Sequence, residues 1–114
     1  MKIDSYMKDD VVVLEPSGKI MGGHDVGELD DKLYAQLGRG RKKVVIDLGK
    51  TPWIYSSSLC ILLHHYIKFK EIGGSLKLAN LTEKAQSIIG MTKLIMVFEV
   101  YDSLQAALDS FKDK

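Results

Sequence analysis

The chain has 114 residues, 46% of them hydrophobic and 27% charged, which suits one globular domain over residues 1–114 with its own core. A net charge of +1 gives no global field to draw in nucleic acid or an anionic membrane, so neither is expected as a partner. Cys60 is the sole cysteine, which excludes an internal disulfide and fits a reducing cytosol. Met1-Lys2-Ile3-Asp4 lacks the apolar core of a signal peptide, and the apolar run Leu59 to Leu63 stops at His64-His65, short of a membrane span. The expected location is cytoplasmic.

Ile3, Ser5 and Met7 alternate with polar neighbours, Lys8-Asp9-Asp10 turns, and Val11-Val12-Val13-Leu14 follows. That order predicts an opening antiparallel hairpin. Pro16 and Gly18 then predict an edge position or a bulge near the end of the second strand. Gly22-Gly23 precede a helix with Val26, Leu29, Leu33 and Leu37 on one face, and with Asp30, Asp31, Lys32 and Gln36 expected in solvent. Gly38 and Gly40 stop it. The basic run Arg39, Arg41, Lys42, Lys43 reads as a solvated loop face.

Val44-Val45-Ile46-Asp47-Leu48 is nearly all apolar and β-branched, the pattern of a strand covered on both faces. A loop from Gly49 to Tyr55 leads to Ser56-Ser57-Ser58, which offer caps for the next helix. Its core positions are Leu59, Leu62, Leu63, Tyr66 and either Phe69 or Lys70, and it ends at Gly73-Gly74. Leu76 and Leu78 alternate with Lys77 in a short strand to Asn80. A brief helix with Ala85, Ile88 and Ile89 inward ends near Gly90, and Met96 to Val100 forms the last strand. Asp102-Ser103-Leu104-Gln105 has capping-box character, and Leu104, Ala107, Leu108 and Phe111 fall at i, i+3, i+4 and i+7. The order is a hairpin, then α-β-α-β-α-β-α. It predicts an α/β fold whose mixed, mostly parallel sheet packs with about four helices.

The chemistry-bearing motifs are few. There is no Gly-x-x-x-x-Gly-Lys-Ser/Thr, and Gly18-Lys19-Ile20-Met21-Gly22-Gly23 is not a dinucleotide turn. His64 and His65 are adjacent on a helix, about 100° apart, and do not converge on one metal; one half-buried and one exposed histidine is the simpler reading. His24-Asp25 reads as a helix start. Ser57 lacks the Gly-x-Ser-x-Gly elbow of a serine nucleophile, and the first strand lacks the acidic pair of a phospho-receiver. No catalytic constellation, metal or cofactor is expected.

Ser56-Ser57-Ser58 remain, at a strand-loop-helix junction. A capping hydroxyl there is worth about 1 kcal/mol, and the same free N–H groups and helix dipole tolerate a phosphate. Spacing alone leaves capping ahead.

Val44-Val45-Ile46-Asp47-Leu48 followed by Trp53-Ile54-Tyr55-Ser56-Ser57-Ser58-Leu59 resembles the signature loop of STAS domains, the anti-sigma factor antagonist family. That loop usually reads Asp-Ser-Ser-Gly-Leu-Gly after a hydrophobic strand. Gly18-Lys19-Ile20, Ile72-Gly73-Gly74-Ser75-Leu76, Thr92-Lys93-Leu94, Val97-Phe98-Glu99 and Asp102-Ser103 with Ala106-Ala107-Leu108 resemble further family segments in the same order. The resemblance implies a STAS fold and a non-enzymatic regulator that binds an anti-sigma factor, often a serine kinase. It implies phosphorylation at Ser56, with Ser57 secondary, reversed by a PP2C-type phosphatase. Partner contacts then fall on Tyr55, Ser56, Ser57 and Ser58, and on Met21 and Gly22. Tyr55 stands where the family has aspartate, Ser58 and Cys60 where it has glycines, and Met21 where it has an acidic residue. A constitutive adaptor subunit of a larger signalling or transport complex is the alternative. Tyr55 serves it as an interface anchor, unless it packs inward against Trp53. A small-molecule or nucleotide binder ranks last. A monomer is expected, or a weak dimer through the hairpin edge.

Overall fold

The computed structural model describes residues 2–18, 24–51, 56–91 and 97–112. Strands β1 (Lys2–Lys8) and β2 (Val11–Ser17) form the expected hairpin, paired from Lys8 opposite Val11 to Lys2 opposite Ser17. Asp9 and Asp10 make a two-residue turn with φ of +52° and +67°. Two left-handed residues in succession match the right-handed twist of the flanking strands.

Helix α1 (His24–Gly38) leads to β3 (Lys43–Asp47), helix α2 (Ser56–Glu71) to β4 (Ser75–Ala79), and helix α3 (Glu83–Met91) to β5 (Glu99–Tyr101); helix α4 (Leu104–Lys112) follows. The five strands lie side by side in chain order, β1 antiparallel to β2 and the other three pairs parallel. β2 is therefore interior, which corrects the edge or bulge expected from Pro16. Its pairing with β3 ends at Leu14, and Pro16 lies opposite Ile3. Counted back from the turn, that is a non-hydrogen-bonded pair, so the missing N–H points to a stretch with no ladder to break.

The strands alternate between two cores. Val12, Leu14, Val44, Ile46, Leu76 and Leu78 face α1, α2 and α3, meeting Leu29, Leu33, Leu59, Leu62, Phe69 and Ile89. Val11, Val13, Val45 and Ala79 face the opposite way, onto Ala107, Leu108 and Phe111 of α4. β3 is thus covered on both sides, as its β-branched run predicts. Three crossovers stepping steadily across a sheet with one hand place their helices on one face, and the fourth helix closes the other. Ser103 caps α4, its hydroxyl accepting the Ala106 N–H at 3.0 Å.

Three expectations change here. Gln36 is buried rather than solvated, and Lys77 is 1% exposed. The last strand begins at Glu99 instead of Met96; Val97 precedes it as an exposed turn residue, and Phe98 fills the first core. Lys77 is buried because β4 has covers on both faces. Its ammonium donates to Ser110 Oγ at 2.5 Å, lies 4.1 Å from the centre of the Phe111 ring, and stands 3.9 Å from Glu99. Burial pushes the Glu99 carboxyl up, but the Ser75 hydroxyl and the Lys70 and Lys77 ammonium groups outweigh it and hold it below the usual value.

Both long helices end in Schellman turns. In α1 the Gly40 N–H donates to Leu37 and that of Arg41 to Gln36; in α2 the Gly73 N–H donates to Lys70 and that of Gly74 to Phe69. Gly40 and Gly73 take φ of +71° and +79°. Gly74 is needed for another reason: a Cβ there would lie 2.4 Å from the Lys42 carbonyl oxygen. Gly74→Ala should lower stability by about 1–3 kcal/mol through this backbone clash. Gly27→Ala, in α1 with nothing within 4 Å of its Cβ, should raise it by about 0.5–1 kcal/mol. Urea unfolding of the two variants checks the opposite signs.

Candidate partner-binding site

β3 delivers the chain to its exit at Asp47. The Leu48 N–H donates to the Ala79 carbonyl at 2.9 Å, extending the sheet by one bond. Asp47, nearly buried, accepts from the Gly49 N–H at 3.0 Å and the Asn80 side-chain amide at 3.2 Å. Asn80 holds φ +58°, and its N–H donates to Tyr101. The exits of β3, β4 and β5 are thus tied together.

Thr51 completes the clasp. It is fully buried, its hydroxyl donates to the Pro16 carbonyl at 2.9 Å, and its N–H donates to Leu48 at 3.0 Å. Its own carbonyl accepts a long 3.5 Å bond from the Thr82 hydroxyl, which also accepts the Ala85 N–H at 3.3 Å at the start of α3. Outside, the Gly18 N–H donates to Lys50, and the Lys50 ammonium sits 3.1 Å from Glu15. The hydrogen bond from the Lys50 ammonium to Glu15, together with the Glu15 charge, raises the Lys50 pKa.

From this stem the chain re-enters described structure at Ser56, the first residue of α2. The three serines therefore form the helix's first turn, where backbone N–H groups have no intrahelical partner. That turn holds no acidic side chain, whereas the last turn holds Lys68 and Lys70. The dipole is matched at the C-terminal end only, so an anion at the other end is electrostatically welcome. Ser58 points inward and is fully buried, which removes its side chain from the expected contact surface. Of the other expected contact residues, Tyr55, Met21 and Gly22 lie outside the described residues, as does Trp53; Ser56 and Ser57 are placed by backbone alone.

A STAS domain model matches residues 2–107. The chain belongs to the STAS domain family. A Bordetella bronchiseptica protein provisionally named anti-sigma factor antagonist BtrV is 27% identical over 93 residues, covering 82% of this chain and 80% of its own. The crystal structure of a Thermotoga maritima protein, also provisionally named an anti-sigma factor antagonist, superimposes with a TM-score of 0.86 at 23% identity, over 95% of this chain and 92% of that one. The Bacillus cell fate determinant SpoIIAA in its phosphorylated form gives 0.74 at 15% identity, over 96% of this chain and 99% of that one. These structural likenesses establish the shared STAS fold.

Two features of the site were not read from the sequence. The clasp at Asp47, Thr51 and Asn80 is one; only the position of Asp47 just before a loop hinted at it. The other is the outer stripe of α2. Cys60, His64 and Ile67 are exposed at helical spacing along one side of the helix. Beneath it, His65 is fully buried and its Nε2 lies 2.5 Å from Asp30 Oδ1 on α1. Tyr34 packs edge-on to the His65 ring and its hydroxyl meets His64 Nε2 at 2.9 Å. His65 Nδ1 is buried without a partner. A bare nitrogen there costs less than an orphaned N–H, which selects the neutral ring with its proton on Nε2, donated to Asp30. Burial accordingly lowers the His65 pKa, outweighing the raising effect of Asp30. Among the described residues no three His, Cys, Asp or Glu side chains converge as a metal site, and no helix is long and apolar enough to cross a membrane.

Thr51→Val leaves the Pro16 carbonyl without its donor and should cost about 1–3 kcal/mol in urea unfolding, while Thr51→Ser keeps most of it. For His65 the sign follows from protons bound. Below the ordinary histidine pKa of about 6.5 the unfolded chain takes up a proton that the folded chain refuses, so stability falls as pH drops and levels off below the folded pKa. Unfolding midpoints at pH 7.5, 6.5 and 5.5 should show this decline, and His65→Gln should flatten it.

Proposed function

We propose that this chain is an anti-sigma factor antagonist that binds its anti-sigma factor through the start of α2 and releases it when Ser56 is phosphorylated. One observation carries the reading: three consecutive serines form a helix's first turn, on a stem clasped by Thr51, with no carboxylate of their own in that turn. The names of the Bordetella and Thermotoga relatives support the partner class. Ser57 is the secondary acceptor, and Ser58, being buried, is set aside. The kinase is the anti-sigma factor itself, and a PP2C-type phosphatase resets the cycle in the cytoplasm. The chain acts as one STAS domain without catalytic activity, as a monomer or a weak dimer.

The energetics are modest. A phosphoserine adds about −1.5 to −2 charges, and a 100-fold loss of affinity needs only about 2.8 kcal/mol. Desolvating a dianion against a fitted surface exceeds that.

The adaptor reading keeps one specific support, Tyr55 in place of the family's aspartate, which removes a carboxylate beside the acceptor. Two measurements separate the readings. Purified chain with its cognate kinase and ATP should gain a single phosphate, mapped by mass spectrometry to Ser56 or Ser57. Ser56→Asp should weaken partner binding at least tenfold in calorimetry while Ser56→Ala still binds. No phosphate, together with unchanged binding of Ser56→Asp, makes the chain a constitutive adaptor.

A further inference from the structure

At the opposite end of the parallel strands from the serines, the chain passes from α1 to β3 through Arg39, Arg41, Lys42 and Lys43. All four side chains are exposed, and none is ion-paired among the described residues. Lys50, Lys70, Lys77 and Lys112 each stand within 4 Å of a carboxylate. Among the described residues Lys8, Lys32, Lys68 and Lys84 do not, but they lie on four different elements, whereas Arg39, Arg41, Lys42 and Lys43 fall within five consecutive residues. The backbone carrying the unpaired cations is fixed. Gly40 and Arg41 close the Schellman turn, and the Lys42 carbonyl accepts the Ser75 N–H at 2.8 Å. Four like charges are held together on a rigid support, which is unfavourable in the isolated chain.

The relief around them is concave. One cleft of about 250 Å³ runs from Asp10 to Lys43, and a second of about 130 Å³ lies between Lys42, Lys43, Gly73 and Phe111. Next to the second, Ile72 borders a groove of about 510 Å³ between the ends of α1 and α2, walled by Tyr34 and Leu37 and rimmed by Lys68 and Glu71. Tyr34 and Ile72 are 47% and 40% exposed, large apolar surfaces left open beside the charges.

We infer that this end of the domain is a second protein-docking surface, which takes an acidic polypeptide segment with an apolar side chain among its carboxylates. Carboxylates would satisfy the four cations while the apolar residue fills the groove against Tyr34 and Ile72. A nucleic acid would use the cations, leave the groove empty and meet Asp10 and Glu71 at its edges. A membrane would need apolar side chains that project, and these line a recess. The assignment goes beyond the proposed switch and stands without it, because the two surfaces lie at opposite ends of the strands.

The test uses the full chain and a fluorescent synthetic peptide in which pairs of glutamates alternate with single leucines, followed by anisotropy. An exposed ion pair contributes up to about 1 kcal/mol, about fivefold in affinity. Replacing both Arg41→Ser and Lys42→Ser should therefore weaken binding about tenfold or more, and Ile72→Ser severalfold. Added salt should weaken it, glutamine in place of glutamate in the peptide should abolish it, and Ser56→Asp should leave it unchanged. Far-ultraviolet circular dichroism checks that the variants stay folded; Arg41, Lys42 and Ile72 are exposed positions. Absence of binding, equal binding of the glutamine peptide, or indifference to the Arg41 and Lys42 changes would overturn the inference. So would tighter binding of a single-stranded oligonucleotide or of phosphatidylglycerol vesicles. Self-association lost in the same variants would also overturn it, by giving the surface to a second copy.

Discussion

The buried hydroxyl of Thr51, bonded to the carbonyl of Pro16, meets a constraint that every parallel sheet faces where its strands end. Strand exits carry backbone groups that have left the ladder, and a buried carbonyl without a donor costs about 1–3 kcal/mol. Here the exits of β2 to β5 satisfy one another: Thr51 reaches β2, Asp47 gathers Gly49 and Asn80, and Asn80 reaches β5. The result is a set of strand exits from β2 to β5 held to one another by side chains as well as by the ladder.

The same logic explains a lysine in the interior. β4 is covered by helices on both faces, so Lys77 has no route to water. It is retained by a short bond to Ser110, by the faces of Phe111 and Tyr101, and by Glu99. Glu99 opens β5, a strand of only three residues at the sheet's edge, and it gathers Ser75, Lys70 and Lys77. So short a strand has few ladder bonds, and the charged cluster supplies the attachment they lack. Truncating Glu99 would leave the buried Lys77 ammonium without its carboxylate, which costs more than the pair contributes.

Much of this was legible locally. The hairpin, the doubly buried β3, the apolar faces of α1 and α2 and the stripe Leu104-Ala107-Leu108-Phe111 follow from periodicity, because each pattern is set by one element's own cover. What escaped depends on a second element. Gln36 and Lys77 look like solvent positions until the layers above them are placed, and Ser58 looks like one of three equivalent hydroxyls until α2 is rotated onto the sheet. Pro16 suggests an edge because the early end of the β2–β3 ladder cannot be read from either strand. The last strand shifted because Phe98 serves the core from a turn, and an apolar run does not distinguish that from a strand. The clasp was illegible for the same reason: Pro16, the segment from Asp47 to Thr51, and Asn80 are far apart in the chain and meet only through the strand order. For Tyr55 the resemblance to the family's loop is the whole basis, and for Met21 and Gly22 it is the resemblance to the family's glycine-led segment before the first helix.

The strand direction gives the domain two chemically opposite ends. At one, the amino-terminal turn of α2 carries no acidic side chain, so the helix dipole there favours an anion. At the other, α1 finishes with no basic residue in its last turn, and the cations follow just beyond it. A helix C-terminus is served by one cation within about a turn, for about 0.3–1 kcal/mol, an effect that fades with distance. Arg39 meets that need. Arg41, Lys42 and Lys43 then exceed what the helix end requires, and their mutual repulsion is left uncompensated by any carboxylate within ion-pair distance among the described residues. A feature that costs the free chain stability and has no role inside the fold is best accounted for by a binding partner outside it.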